Sequence, residues 1–199
     1  MALVDYYLTL FSHMLITLKN PEATAESLRQ ELVQELQTLQ QPSLRHYSRQ
    51  DIYAASSAVC ICLDELILCS GHPMVGYWRN HLLQREIHNN SLGGMHFFQQ
   101  LSEISDNNHE LRIVYLFCLL MGYKGRYVID EKKELERIID QNIKKLPQEY
   151  IRCLIYNETD VWNTRPEMPR LKKNKPILTI FIILLASIVY LSMNLMLVF

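Results

Sequence analysis

"YLFCLLMGYKGRY", Tyr115 to Tyr127, is the stretch of sequence that decides the fold. Its first half is apolar and belongs to a predicted central helix, Leu111 to Met121. That helix runs into Gly122, which is typical of a helix that ends in the left-handed conformation. Gly125 then permits a second tight turn, which presents an arginine and a tyrosine. A catalytic turn and a fold-specific packing turn both fit this pattern.

Apolar residues recur at helical spacing along most of the chain before this stretch and after it. A third helix starts with Ser48 and Asp51 in the spacing of a capping box. Period-two alternation with hairpin turns is not apparent, so the sequence predicts an all-α domain of about seven or eight helices. The predicted helices cover residues 3–18, 28–39, 48–67, a short segment through Trp78, Leu82 and Leu83, and residues 95–104, 111–121, 131–146 and 150–155.

The C-terminal stretch Ile177 to Phe199 carries no charged residue, and about 20 such residues form a helix that spans a bilayer. A buried core helix is the alternative, but core helices of this length normally keep a polar face. Basic residues just before the stretch indicate that this side stays in the cytoplasm. These residues are Arg170, Lys172, Lys173 and Lys175. The sequence thus predicts a cytoplasmic domain over residues 1–160, a basic juxtamembrane linker over 161–176 and a transmembrane helix over 177–199.

The formal net charge of −1 is unevenly distributed along the chain. Residues 161–199 hold five basic residues and one acidic residue, so residues 1–160 carry a net charge of −5. A mildly acidic domain is poorly suited to nucleic acid, which is not expected as a partner. The basic linker suits anionic lipid headgroups.

Sequence signals for catalysis or metal binding are weak. The chain has no phosphate-binding glycine loop and no serine-nucleophile motif, and its histidines lack zinc-site spacing. The histidines concerned are His72, His81, His88 and His96. The five cysteines include no C-x-x-C pair, and all but Cys153 lie in apolar stretches, which predicts buried, reduced thiols. We therefore expect no catalytic residue, metal or cofactor, and a protein that is not an enzyme.

Asp64 and Glu65 interrupt the apolar third helix, between the runs "AVCICL" and "LILC". Adjacent helical residues project about 100° apart, so the pair lies at the edge of the apolar face. Such a pair could tune a pKa, bind a metal or receive a basic group of a partner. The alternative is an ordinary solvated helix edge.

The order of several motifs along the chain is more specific than any single motif. "CICLDELILCS" (60–70) is followed by Trp78, "HLLQREIH" (81–88), "SLGGMHFFQQL" (91–101) and "YLFCLLMGYKGRY". This order resembles the DotU/TssL (IcmH) family of the type VI and type IVb secretion systems. The matching residues are Asp64, Glu65, Trp78, Leu82, Leu83, His88, Gly93, Gly94, Phe97, Phe98, Gly122, Gly125, Arg126 and Tyr127.

The resemblance implies two packed helical subbundles in the cytoplasm, tethered to the bacterial inner membrane by one helix with a periplasmic C-terminus. It also implies a scaffold that binds the large IcmF/TssM-type membrane protein, docks type VI baseplate components and forms a homodimer. A type IVb subunit that stabilises an IcmF-type partner remains an alternative. So do a tail-anchored helical regulator of the Bcl-2 type, a membrane-tethered enzyme that uses the acid pair, and an adaptor without a secretion role.

Two site hypotheses follow. The first places Asp64, Glu65, Trp78 and Arg126 in a cleft that binds a partner. In the second, the Gly-Gly, Phe-Phe and Gly-Arg-Tyr motifs are structural, and Arg126 binds Asp64 or Glu65 as a bidentate ion pair. The Gly-Gly pair is expected to form a turn that needs a positive φ.

Overall fold

Helices make up the regular structure of the chain in the computed structural model, which describes residues 2–39, 46–89, 93–127 and 132–151. No strand is present in these ranges, and the all-α fold expected from the sequence is confirmed. The helices are α1 Asp5–Thr17, α2 Ala25–Leu39, α3 Arg49–Cys69, α4 Val75–Trp78, α5 Leu83–His88, α6 Gly93–Glu103, α7 His109–Leu120 and α8 Lys132–Ile143. A 3₁₀ turn, Gly125–Tyr127, lies between α7 and α8.

The expected segments that fall late in the sequence are described only in part. Residues 148–151 are helical, which matches the start of the helix expected over residues 150–155. The remainder of that helix, the basic linker and the transmembrane helix lie outside the described residues. All described residues belong to one compact unit, which spans residues 1–157.

Side-chain caps start both α3 and α7, and the cap of α7 is hydrogen-bonded to the first turn of α3. Ser48 Oγ accepts the amide of Asp51 at 3.0 Å, as the capping-box spacing predicts. Asn108 Oδ1 accepts the amide of Leu111 at 3.2 Å. Asn108 Nδ2 also donates to Asp51 Oδ1 at 2.7 Å, so the N-termini of α3 and α7 lie side by side.

α3 is the centre of the fold. The helices α1, α2, α4 and α5 pack mainly on one another and on α3, and α6, α7, the 3₁₀ turn and α8 form a second group around it. These groups correspond to the two subbundles that the resemblance implied, but they share α3 and one apolar core. Among the described residues, α3 is also the one helix long and apolar enough to cross a membrane. Its extensive burial identifies it as a core helix instead.

Several helix boundaries differ from the sequence-based expectation by two or three residues, and two of the differences involve the motifs. The short segment through Trp78 and Leu83 is not one helix but two, because Leu82 is extended at ψ 137° and α5 starts afresh after it. α6 begins at Gly93 and not at Met95, so the Gly-Gly pair forms its first turn. Neither of these two glycines has a positive φ, and the expected positive-φ turn at this site is therefore wrong.

Candidate functional site

Asp64 lies inside the protein where α3 meets the start of α5, and only 1% of the residue is exposed. Its carboxylate accepts hydrogen bonds from Trp78 Nε1 at 2.8 Å and from the backbone amides of Leu83 at 2.9 Å and Gln84 at 3.0 Å. Gln84 Nε2 donates a fourth bond at 3.3 Å. The first amides of a helix have no partner within it. Asp64 therefore caps α5 from α3 and holds Trp78 beside the cap.

The protonation of Asp64 reflects two opposing effects. Burial raises the pKa of this carboxyl to about 6, while the four hydrogen bonds, which favour the ionised form, oppose that rise. The carboxylate is therefore the main form at neutral pH, and it can accept all four bonds.

Glu65 is half-buried and faces the 3₁₀ turn. Its Oε1 accepts the amide of Lys124 at 2.7 Å, and the amide of Gly125 lies 3.1 Å from Oε1 and 3.0 Å from Oε2. These amides follow the end of α7, so the helix itself offers them no acceptor. Glu65 thus fastens the turn to α3.

Two glycines with positive φ reverse the chain after α7. Gly122 has φ +108°, and its amide and that of Tyr123 each donate to an α7 carbonyl at 3.1 Å, which is the bond pair of a Schellman motif. The predicted left-handed cap at Gly122 is confirmed. Gly125 has φ +52°, and a Cβ there would lie 2.7 Å from Tyr123 Oη and 2.9 Å from Phe98. Glycine is therefore required at position 125 both by its backbone angle and by the lack of space.

The Phe-Phe motif of α6 packs against this turn. The ring centroids of Phe97 and Tyr123 are 4.3 Å apart, and Phe98 meets Tyr127 edge to face at 4.7 Å. Phe97 also contacts Tyr115 in α7 at 4.8 Å. Aromatic pairs at these separations add stability beyond the area they bury. The motif residues of α6, α7 and the turn therefore form one packing unit.

The Gly-Gly motif allows α6 to approach α3 and α5. A Cβ on Gly93 would lie 2.8 Å from Ile61 Cγ1 and would collide with the side chain of Gln84. A Cβ on Gly94 would meet nothing closer than Tyr123 Oη at 4.0 Å. The two adjacent glycines thus differ, and only Gly93 is fixed by close packing.

Arg126 does not bind the acid pair, so the expected bidentate ion pair is wrong. Its guanidinium donates to Tyr127 Oη at 2.7 Å. The guanidinium carbon lies 5.5 Å from the ring centroid of Phe98 and 5.0 Å from that of Tyr127. The carboxylates of Asp64 and Glu65 are already occupied by N–H groups of α4, α5 and the turn, which explains why Arg126 faces elsewhere.

The hypothesis of a cleft that brings four residues to a partner also needs correction. Asp64 and Trp78 are almost completely buried and bonded to each other, so a partner cannot touch them in this conformation. Glu65 is half-buried beneath the turn, and Arg126 is exposed on the outer surface. Of the four residues, Arg126 is therefore the one whose side chain is presented to solvent.

Arg112 is a buried residue that the sequence-based reasoning missed. It is 1% exposed and donates to Asn142 Oδ1 at 2.5 Å and to the carbonyls of Ile104 at 2.8 Å and Ser105 at 3.2 Å. Burial lowers the pKa of its guanidinium. The available signal was one arginine in the otherwise apolar Leu111–Leu120 run. Its role is to tie α8 to the loop between α6 and α7.

The histidines are dispersed and make separate structural contacts. His72 Nε2 lies 3.0 Å from the Asn20 carbonyl, and His88 Nε2 lies 3.0 Å from Ser56 Oγ. His81 Nδ1 lies 2.9 Å from the Tyr77 carbonyl, and His96 is exposed. Within the described ranges, no three His, Cys, Asp or Glu residues lie close enough together to hold a metal ion.

Three of the cysteines are buried as predicted. Burial raises the pKa of the Cys60 and Cys62 thiols, and Cys118 packs in the same core. Cys69, however, is exposed, because it lies at the C-terminal end of α3. Cys153 and the basic residues Arg170, Lys172, Lys173 and Lys175 lie outside the described residues.

Residues 2–197 match a family model described as "Type VI secretion system protein DotU". The cytoplasmic domain of TssL from Acinetobacter baumannii superposes with a TM-score of 0.60 and 23% identity, over 73% of this chain and 96% of that one. The crystal structure of TssL from Vibrio cholerae gives a TM-score of 0.63 and 23% identity, over 72% and 94%. No curated protein matches the chain significantly. At this level of identity, the structural likeness establishes the fold alone.

Proposed function

The chain belongs to the DotU family of type VI secretion system proteins, and on that basis we propose that it is a scaffold subunit of the system's inner-membrane complex. The observation that carries the proposal is the family match over residues 2–197, which includes the helical domain and most of the apolar C-terminal stretch. The likeness of the helical domain to two TssL structures agrees with the family match at the level of the fold.

In this proposal, residues 177–199 cross the bacterial inner membrane once. The lack of charge in this stretch supports the crossing, and the basic residues before it support a cytoplasmic N-terminus and a periplasmic C-terminus. The helical domain of residues 1–160 would then lie in the cytoplasm, joined to the span by the linker of residues 161–176.

The proposed partners are a large IcmF/TssM-type protein in the same membrane, baseplate components on the cytoplasmic side, and a second copy of the chain. A scaffold needs a rigid domain with free outer surfaces. The acid pair supports this role, because Asp64 and Glu65 hold α5 and the turn and are not presented to a substrate. Binding surfaces are therefore to be sought outside the acid pair.

The proposal can be tested by affinity purification of the full-length chain, tagged at its N-terminus, from detergent-solubilised membranes of cells that express the secretion system. We expect mass spectrometry to identify a large multi-span membrane protein and baseplate components. The control is an unrelated tail-anchored protein with the same tag, expressed at the same level. If no secretion-system protein is enriched over this control, the scaffold proposal is wrong.

A further inference from the structure

An open depression lies between the 3₁₀ turn and the first two turns of α8. Its described lining residues are Arg126, Tyr127, Lys133, Glu134 and Arg137, which supply three cationic side chains and one carboxylate. Arg126, Lys133 and Arg137 are all exposed. The depression is separate from the acid pair, whose carboxylates face the interior and the inner side of the turn.

Arg126 is held in a defined orientation at the edge of this depression. Its guanidinium packs near the rings of Phe98 and Tyr127 and donates one hydrogen bond to Tyr127 Oη. Phe98 and Tyr127 are themselves buried, so the platform beneath the guanidinium is rigid. A guanidinium has five N–H donors. Its remaining donors are therefore available for a carboxylate without much loss of side-chain entropy.

The one carboxylate among the described lining residues already accepts hydrogen bonds. Glu134 accepts two hydrogen bonds from Arg137, from Nε at 2.8 Å and from a terminal nitrogen at 2.5 Å. Arg137 is the main reason that the pKa of Glu134 is lowered, with a smaller contribution from Arg126. Arg126 and Lys133 form no ion pair with any described residue. Among the described lining residues, Arg126 and Lys133 are therefore two cations without an ion-pair partner.

The surrounding charge indicates what the depression binds. Residues 1–160 carry a net charge of −5, so a cationic depression on this domain is a local exception that attracts acidic groups. Since the proposed function is assembly with other proteins, the acidic group is assigned to a protein segment.

We propose that the depression binds an acidic segment of a protein partner, in which one carboxylate pairs with Arg126 and a second with Lys133. The inference rests on the scaffold function proposed above, since it names the chemistry of one contact that such a scaffold makes. The guanidinium of Arg126 is already held in one orientation, and its bidentate pairing with a carboxylate makes the depression specific for carboxylate groups.

The direct test measures binding of a fluorescent hexaglutamate peptide to the purified full-length chain in neutral detergent, by fluorescence anisotropy. A hexaglutamine peptide is the matched probe without charge. The variants are Arg126→Gln and Lys133→Gln, and the matched control is Lys144→Gln, which removes an exposed cation beyond the C-terminal end of α8. Circular dichroism and thermal unfolding verify that each variant is folded.

We expect hexaglutamate to bind at low ionic strength, hexaglutamine not to bind, and Arg126→Gln to weaken binding about fivefold or more. Lys133→Gln should weaken it by a smaller factor, and Lys144→Gln should leave it unchanged. Arg126 also packs near Phe98 and Tyr127, so its replacement changes the packing of the turn. Lys133→Gln removes a charge from the depression and leaves that packing intact. The inference is overturned if the wild type does not bind hexaglutamate, or if all three variants bind it as the wild type does. Equal weakening by Lys144→Gln also overturns it, because binding would then be non-specific attraction.

The same variants separate this inference from the scaffold proposal. If Arg126→Gln and Lys133→Gln retain every partner recovered by affinity purification, the depression is not the docking point and the inference is wrong, while the scaffold function stands. If the wild type recovers no secretion partner, the scaffold function itself fails.

Discussion

At the residue scale, Asp64 is an ionisable group buried in the core with hydrogen-bond donors as its immediate partners. Two backbone amides, an indole and a side-chain amide replace the water that its carboxylate loses. An isolated buried charge is strongly unfavourable, and hydrogen bonds of this kind make it tolerable. The same four donors would be left without an acceptor if the carboxylate were removed.

The raised pKa of Asp64 predicts a pH-dependent stability. Because the folded pKa of about 6 exceeds the ordinary value of 3.8, the folded state binds the proton more tightly than the unfolded state does. The resulting stabilisation is complete below the ordinary pKa and is lost as the pH rises through 6, up to about 3 kcal/mol in total.

The Asp64→Asn variant has no carboxyl group to titrate at this position, so its free energy of unfolding lacks this pH-dependent contribution. Urea unfolding of both proteins between about pH 4 and pH 7 should show the wild type losing stability relative to the variant. A constant difference across this range would contradict the assignment.

The adjacent glycines of α6 provide a second prediction at this scale. Gly93→Ala should destabilise the domain by about 2 kcal/mol, because its Cβ would collide with Ile61 and Gln84. Gly94→Ala is the matched control, and it should change stability by no more than about 1 kcal/mol, with a gain favoured by helix propensity. Chemical denaturation measures both. Equal destabilisation by the two substitutions would show that α6 does not approach α3 in this way.

At the element scale, α8 depends on tertiary contacts more than on its own sequence. Its exposed face is highly charged, and the buried guanidinium of Arg112 reaches it through Asn142. Arg112 also bonds the carbonyls at the end of α6, so one side chain connects α8 to the preceding loop. Helices of about 12 residues are only marginally stable alone, which makes this connection important.

Replacement of Arg112 by methionine should therefore loosen α8. Loss of the guanidinium leaves the Asn142 and Ile104 acceptors buried without donors, at a cost of about 3 kcal/mol. Arg137→Met is the matched control, because its ion pair with Glu134 is exposed and contributes little. Hydrogen exchange of α8 peptides should accelerate in the first variant only. Unchanged exchange in Arg112→Met would show that α8 is held by its apolar contacts alone.

The helices and their caps differ in how far the sequence predicted them. The apolar residues of the sequence located α1, α2, α3, α6, α7 and α8, since each of these helices carries apolar side chains that pack in or against the core. The split between α4 and α5 was not predictable from local pattern, because the carboxylate that caps α5 lies 19 residues away at Asp64. The Schellman cap at Gly122 was predictable, since its signal is local. The orientation of Arg126 was not, because it depends on rings supplied by both α6 and the turn.

At the scale of the whole molecule, α3 joins the two helical groups through two adjacent carboxylates. Neighbouring positions of a helix project about 100° apart, so Asp64 reaches α4 and α5 while Glu65 reaches the turn after α7. The acid pair thus joins the two helical groups from within the domain, and in the proposed scaffold role partners bind its outer surfaces.

The separate roles of the two carboxylates can be tested by hydrogen exchange of the full-length chain, measured by mass spectrometry in the Asp64→Asn and Glu65→Gln variants. Asp64→Asn should accelerate exchange in residues 78–88 and leave residues 121–127 as in the wild type. Glu65→Gln should do the reverse, because its amides are those of Lys124 and Gly125. Acceleration of both segments in both variants, or of neither segment in either variant, would show that the two carboxylates do not hold separate parts of the domain.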